Sequence, residues 1–177
     1  PHMDGTIIKV VPDPGARLAQ LQSGEISTMG LQPEQISAVA NNDGIDIFNF
    51  KDDGYTYIGL NLANPENPMP GQDEDGNLIE QDPHPILSQH PVRLAMAHAL
   101  NYEAIIENVY LGQGYQIASN VLPAVAWAHD PSIAPYAYDP DLAASILEDA
   151  GWVDSDGDGI REQGDLTLSL NLMTNAG

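Results

Sequence analysis

Residues 139–172 read DPDLAASILEDAGWVDSDGDGIREQGDLTLSLNL, a stretch with the signatures of a helix, an acidic loop and a strand in succession. Asp139 suits a helix N-cap, Pro140 the first helical turn, and Gly151 the position after the last turn. One face of this helix is apolar, at Leu142, Ile146, Leu147 and Ala150. The strand alternates polar residues with leucine, at Leu166, Leu168, Leu170 and Leu172. These two periodicities predict a helix and a half-buried strand.

The acidic loop between them, residues 154–165, matches the sequence pattern of a calcium-binding loop. Acids recur at alternate positions, and Gly159 occupies the sixth position, where the backbone turns sharply. We expect a structural calcium ion held by Asp154, Asp156, Asp158, the carbonyl of Ile160, Glu162 and Asp165. Asp165 stands where the pattern has Glu, and its shorter side chain reaches less far. The alternative is a solvated acidic turn, because Asp and Gly are common in turns that hold no metal.

Helices and strands also alternate irregularly through the rest of the chain. Strands are predicted at residues 6–11, 45–50 and 55–62. Helices are predicted within residues 15–24, 33–40, 91–100 and 102–111. Two of these helices are expected to bury Ile36, Val39 and Ala40, and Ile105, Ile106 and Val109, respectively. Residues 64–85 and 120–138 lack a sustained period and are predicted loops. This mixture indicates an α/β or α+β fold.

The composition excludes several classes of function. The 177 residues include 5 Lys and Arg against 26 Asp and Glu, for a formal net charge of -21. Binding to nucleic acid or to an anionic membrane surface needs clustered cations, so neither is expected. The chain has no cysteine, which removes disulfides, thiolate zinc sites and cysteine nucleophiles. No apolar run approaches the roughly 20 residues of a membrane-spanning helix.

The remaining candidate sites carry weaker signals. Residues 73–77 form a second acidic stretch, but Leu78 occupies the position where a calcium loop needs glycine. The histidines are spread out, and no catalytic or nucleotide-binding motif appears, so we expect a protein that is not an enzyme. Of the two tryptophans, Trp152 follows a helix end and is expected to pack in the core. Trp127 lies in a loop and is the better ligand-binding candidate.

Several stretches, in the same order, resemble the family 5 solute-binding proteins of ABC importers, the oligopeptide, dipeptide and nickel-binding group. Residues 16–26 look like the family's helix followed by Gly-Glu-Ile-Asp, with Ser27 in place of Asp. Residues 57–62 look like the strand that crosses between its lobes, and residues 91–101 resemble its "Val-Arg-x-Ala" helix. The likeness continues through residues 105–114, 122–127 and 138–152, and an acidic loop before Leu166 also occurs in many members.

The resemblance implies an α/β architecture that is part of a type II periplasmic-binding-protein-like fold, with a mixed sheet and flanking helices. It implies capture of a ligand, most often a peptide, by closure of two lobes, and delivery to the membrane permease of an ABC importer. Residues 1–3 look like a cloning remnant. Residues 4–55 would belong to the first lobe, and residues 56–177 would form an incomplete second lobe containing the loops 64–85 and 154–165.

The same resemblance implies an extracytoplasmic location, in the periplasm or at the cell surface, with a lipoprotein tether in the full-length protein. Most ligand-contacting residues would lie outside this interior piece of a longer chain. Exposed strand edges on such a piece could pair with a second copy, so a homo-oligomer is a further expectation. Two alternatives remain open: a calcium-stabilised interaction module of the cell surface, and a hydrolase that uses paired carboxylates.

Overall fold

The computed structural model describes residues 2–50 and 54–174. Its elements are α1 (Pro14–Gln22), α2 (Pro33–Val39), α3 (His90–Ala99), α4 (Tyr102–Asn108), α5 (Pro140–Asp149), β1 (Glu162–Gln163) and β2 (Leu166–Thr167). The chain divides into two compact units, Pro1–Asp52 with Ala104–Tyr115, and Asp53–Glu103 with Gln116–Gly177. This grouping does not assign lobes, so the predicted lobe boundary near residue 55 stays a prediction. Pro1 of the predicted cloning remnant, residues 51–53 and residues 175–177 lie outside the described residues.

In the first unit, α1 and α2 are joined by hydrogen bonds from glutamine side chains. Asp13 caps α1, its Oδ1 accepting from the backbone N–H of Ala16, as its position before Pro14 favours. Gln35 is buried, and its Nε2 donates to the carbonyl of Pro14 over 3.0 Å. A buried amide is stable only when it is hydrogen-bonded, so Gln35 fixes α2 against the start of α1.

The second unit has its core between α3 and α5. Ile86, Val92 and the fully buried Trp152 form its centre. Partly buried side chains pack around them, from Met96, Leu147, Ala150, Leu166 and Leu168. Asp139 caps α5 by accepting from the N–H of Leu142, and Gly151 ends it with a φ of 84°. The predicted helix over this stretch is confirmed.

A network of polar side chains surrounds Trp152. Its indole Nε1–H donates to Oε1 of Gln89 over 3.1 Å, and Gln89 Nε2 donates to Oε1 of Gln163 over 2.9 Å. Gln163 Nε2 in turn donates to the carbonyl of Ala150. Each donor and acceptor named here has a partner, which stabilises this partly buried polar network. The network connects the residue before α3, the end of α5 and strand β1.

The predicted strands are the main error of the sequence analysis. Residues 6–11, 45–50 and 55–62 are assigned no strand, and Leu166–Thr167 is the whole of β2, paired antiparallel with Glu162–Gln163. Ile7 is 97% exposed and Leu172 is 83% exposed. A strand exists only through its hydrogen-bonded partner, and alternation reveals no partner. Among the predicted strands in the described part of the chain, only residues 166–172 have a ladder partner, and only at Leu166 and Thr167.

Two predicted helices exist, but only some of the residues expected to be buried are buried. Ala40 is exposed at the end of α2, whereas Gln35 and Val39 are buried. Ile105 and Val109, expected to face inward, are exposed. Periodicity identifies one face of a helix but not its partner, and a hydrogen-bonded glutamine can occupy a buried position. In α5, likewise, Ala143 is buried and Leu142 is exposed.

The predicted loops at 64–85 and 120–138 contain no helix and no multi-residue strand. The first is nevertheless ordered by two isolated bridges, Ala63 with Pro83 and Gln72 with Leu78. At its tip, Asp73 accepts hydrogen bonds from the backbone and the side chain of Asn77. Across the described residues, no helix has both the length and the apolar composition needed to cross a membrane.

The hydrogen bonds from Asn77 to Asp73 can be tested by the titration of Asp73. Hydrogen bonds from Asn77 stabilise the charged carboxylate and lower the pKa of Asp73 below its usual value of 3.8. A carboxylate with a depressed folded pKa contributes stability above its unfolded pKa, and the contribution is lost as pH falls through the folded pKa. We expect the NMR titration midpoint of Asp73 to lie below 3.8. In Asn77→Ala it should move up toward that value; an unchanged midpoint would contradict this turn.

Candidate functional site

The acidic loop after α5 brings three carboxylates together. One oxygen each from Asp154, Asp156 and Glu162 lie within 4.8 Å of one another. Carboxylate oxygens in this arrangement are suited to Ca²⁺, which takes oxygen ligands at about 2.3–2.6 Å. Like charges at this spacing repel, and a divalent cation between them would remove that cost. The loop therefore contains a candidate metal-binding site.

Hydrogen bonds inside the loop fix the positions of these carboxylates. Asp154 Oδ1 accepts from the N–H of Gly157 over 2.7 Å, and its Oδ2 accepts from the N–H of Gly159 over 2.9 Å. Gly157 and Gly159 have φ values of 82° and 90°, a region that favours glycine. Glu162 Oε2 accepts from the N–H and hydroxyl of Ser155. The loop thus curls around Asp154, and Glu162 closes it from the far side.

The base of the loop is tied to the core of its unit. Val153 and Glu162 exchange backbone hydrogen bonds of 3.0 and 2.8 Å. The Arg161 guanidinium donates to the carbonyl of Trp152 over 2.9 Å and to Oε1 of Glu148 over 3.1 Å. Both ends of the loop are therefore connected to the buried Trp152, the first through the chain and the second through the Arg161 hydrogen bond. This support holds the loop ends at a fixed separation.

The other predicted ligands lie outside the group of three. Asp158 Oδ1 accepts from the N–H of Ile160 over 2.7 Å, which makes a local turn. Asp165 is exposed in the turn between β1 and β2. The roles predicted for Asp158, the Ile160 carbonyl and Asp165 stay predictions. The weaker candidate, residues 73–77, forms a turn held by its own hydrogen bonds, and Trp127 is 91% exposed in the loop 120–138.

A second concave feature is an open apolar groove of about 300 Å³ between α3 and α5. It is lined by Val92, Ala95, Met96, Ala99, Pro140, Ala143, Ala144, Leu147, Arg161, Leu168 and Leu170. Arg161 is the one charged side chain among them, and it is already bonded to Trp152 and Glu148. The groove offers few polar groups to orient a ligand, whereas binding sites usually place several. Sequence reasoning gave no signal for this groove, because it joins two helices distant in the chain.

Comparison with known proteins adds to this geometry. The family of bacterial extracellular solute-binding proteins, family 5 Middle, matches residues 1–177. The chain belongs to this family. The resemblance noted in the sequence is thereby confirmed. Because the family consists of solute-binding proteins that act outside the cytoplasm, membership fits the expectation of a non-enzymatic, extracytoplasmic protein.

Three curated relatives of the chain have names that refer to different solutes. The oligopeptide-binding protein AppA of Bacillus subtilis is 27% identical across the whole chain. The dipeptide-binding protein of Escherichia coli is 27% identical, and heme-binding protein A of Haemophilus influenzae is 29% identical, each over 85% of the chain. The chain spans 29% of the length of AppA and 24% of each of the other two.

Solved structures of similar proteins establish the fold of this family 5 chain. NikZ from Campylobacter jejuni, in complex with Ni(L-His), superposes with a TM-score of 0.62 at 21% identity, covering 90% of this chain and 28% of that protein. NikA from Brucella suis, in complex with Fe(III)-EDTA, gives 0.59 at 23% identity, covering 91% and 29%. The predicted part of a type II periplasmic-binding-protein-like fold is confirmed.

Proposed function

We propose that the protein carrying this chain captures a peptide-like solute outside the cytoplasm and delivers it to the membrane permease of an ABC importer. The family match over residues 1–177 carries this proposal. The oligopeptide- and dipeptide-binding relatives favour a peptide over other solutes. Two lobes would close on the ligand by hinge motion, and no bond of the solute would be made or broken. The permease is a membrane protein, so a lipid anchor on the full-length protein would keep the two close together.

Within the described residues, Trp127 is our proposed ligand contact. Its indole is 91% exposed, so a solute could stack on it without displacing packed protein. We propose that other parts of the full-length protein supply further contacts. Residues 4–55 are proposed as first lobe and residues 56–177 as part of the second.

The test is a thermal-shift screen of the full-length protein with solutes taken from the range of its relatives: a dipeptide, an oligopeptide, haem and the nickel–histidine complex. We expect a peptide to raise the melting temperature, because a ligand that binds only the folded state stabilises it. Trp127→Ala should reduce that shift, whereas Leu78→Ala, which removes another exposed apolar side chain, should not. A shift with haem or nickel–histidine alone would reject the proposal that the solute is a peptide. No shift with any of these solutes would count against solute capture itself.

We further propose that the loop 154–165 holds a structural calcium ion. The support is the approach of Asp154, Asp156 and Glu162 and the connection of both loop arms to Trp152. Bound there, Ca²⁺ would neutralise converging carboxylates and fix the connection from α5 to β1. The ion would take no part in binding the solute. A rigid connection of this kind would stabilise the proposed second lobe without contacting the cargo.

We also propose that the 177-residue chain, expressed alone, self-associates through its unpaired extended segments. Ile7, Ile8 and Val10 are at least 87% exposed along one such segment, and exposed edges favour pairing between chains. The net charge of -21 opposes association, so the sedimentation mass should rise with added salt as repulsion is screened. Ile8→Lys should reduce this rise. A mass of one chain at high concentration and high salt would rule the association out.

A further inference from the structure

His84 occupies the junction between the loop 64–85 and α3. Its backbone N–H donates to the carbonyl of Leu62 over 2.8 Å, which closes the base of the loop. Its own carbonyl accepts from the N–H of Ser88 over 3.1 Å, so residues 85–88 form a turn directly after it. Ile86 of that turn belongs to the core around Trp152. His84 therefore links the loop to the packed part of its unit.

The imidazole of His84 acts as a hydrogen-bond acceptor. Its Nδ1 lies 3.0 Å from the backbone N of Ile86 and 3.1 Å from that of Leu87. A backbone amide can only donate, so Nδ1 carries no hydrogen and the neutral ring carries its hydrogen on Nε2. The protonated ring has hydrogens on both nitrogens and cannot accept. Ile86 and Leu87 are buried, so losing the acceptor would leave two amides poorly compensated.

In two other histidines, Nδ1 donates a hydrogen bond instead of accepting one. His98 Nδ1 lies 2.8 Å from the carbonyl oxygen of Ala137, and His129 Nδ1 lies 2.9 Å from that of Val121. A carbonyl oxygen can only accept, so in both cases Nδ1 donates. A donated hydrogen remains in place when the ring gains a second proton. Acid therefore leaves these two bonds intact and removes both bonds of His84.

Charged groups of both signs lie on the segments around His84. Arg93 of α3 donates from Nη1 to the carbonyl of Leu87 over 2.7 Å, so a cation already binds the same turn. Asp82, two residues before His84, is the acidic group nearest in sequence; its carboxylate accepts from Asn67 and favours a protonated ring. Other titratable side chains on the adjoining segments include Glu80 in the loop, His90 at the start of α3, Glu148 and Arg161 beside Trp152, and Asp154 after it. A hydrogen on Nδ1 of His84 would face two amide N–H groups.

We propose that His84 and the amides of Ile86 and Leu87 form an acid-sensitive latch between the loop 64–85 and the turn before α3. The folded chain uses the neutral ring, because only that form leaves Nδ1 free to accept both amides. The latch is closed while Nδ1 of His84 is free to accept, and it opens when acid places a hydrogen on that nitrogen. The loop end and the turn then separate while the core around Trp152 stays packed. This inference does not depend on the proposed solute or on calcium.

The tautomer tests the latch in the unmodified 177-residue chain. Nitrogen-15 NMR of the histidine rings at pH 7.5 should show His84 with Nδ1 unprotonated and hydrogen on Nε2, and His98 and His129 with hydrogen on Nδ1. Amide exchange should show protection of Ile86 and Leu87 at pH 7.5 that falls at least about fivefold, beyond the intrinsic pH effect, at pH 5.0. A hydrogen on Nδ1 of His84 at pH 7.5 would overturn the proposal without any variant.

A matched pair of variants tests the pH dependence. His84→Asn keeps a side-chain oxygen acceptor that does not titrate, so its melting temperature should fall less between pH 7.5 and 5.0 than that of the natural chain, by about 2–4 °C. His90→Asn removes an exposed histidine from the start of α3 and should behave like the natural chain. An equal fall in all three proteins would overturn the latch. Should His84→Asn not fold, the exchange data on the unmodified chain decide.

Discussion

Replacing Trp152 with alanine is expected to unfold the second compact unit or leave it barely stable. Trp152 is 0% exposed and forms the centre of the core with Ile86 and Val92. Truncating a buried aromatic residue to alanine typically costs about 3–5 kcal/mol, a large part of the stability of a small domain. The change also removes the donor to Gln89 and leaves that amide oxygen without its partner. Chemical denaturation followed by circular dichroism measures the loss.

The second tryptophan supplies a matched control. Trp127→Ala removes an equal volume from a side chain that is 91% exposed, so it should change stability by less than about 0.5 kcal/mol. Trp152→Phe should fall between the two, since it keeps a ring in the core but loses the indole N–H. Similar losses for Trp152→Ala and Trp127→Ala would contradict the core described here.

Calcium is expected to stabilise the chain, and Asp156→Asn is expected to abolish most of that effect. Binding sites of extracellular calcium modules have dissociation constants of about 10⁻⁴–10⁻³ M. At a hundred times the dissociation constant, binding adds about 2.7 kcal/mol to the free energy of unfolding. Asn at position 156 keeps the shape of the side chain but removes one of three converging charges. Calorimetric titration and melting curves with and without calcium measure both effects.

Two controls separate a bound ion from general screening of negative charge. Asp43→Asn removes another exposed carboxylate that also precedes glycine, and should leave the calcium response unchanged. Glu162→Gln should weaken the response as Asp156→Asn does, since Glu162 belongs to the same group. Absence of calorimetric heat together with an unchanged melting temperature would reject the ion, and the loop would then be a solvated turn.

The sequence predicted best where the signal is local. Asp139, Pro140 and Gly151 mark the ends of α5 because caps and helix stops act within a few residues. The approach of Asp154 to Glu162 also followed from spacing within one short loop. In this loop the sequence pattern predicts the glycine turns as well as the approach of the carboxylates. The structure adds that Asp158 makes a turn with Ile160.

The sequence could not predict features that depend on distant partners. Trp152 bonds to Gln89, 63 residues earlier, and Gln89 bonds to Gln163, 74 residues later. No periodicity or motif links such positions. The extended segment 6–11 has strand-like composition, but composition does not supply the neighbouring strand that would complete it. The acceptor role of His84 was missed for a related reason, since it depends on the geometry of a turn.

The most direct test of the account is whether the full-length protein binds a peptide and leaves it intact. Equilibrium dialysis against an oligopeptide, with mass spectrometry of both compartments over several hours, measures binding and turnover together. We predict about one intact peptide held per protein molecule, with no cleavage products, as expected for a family 5 solute-binding protein. Accumulation of cleaved peptide, or equal concentrations of free peptide on both sides of the membrane, would contradict non-catalytic solute capture.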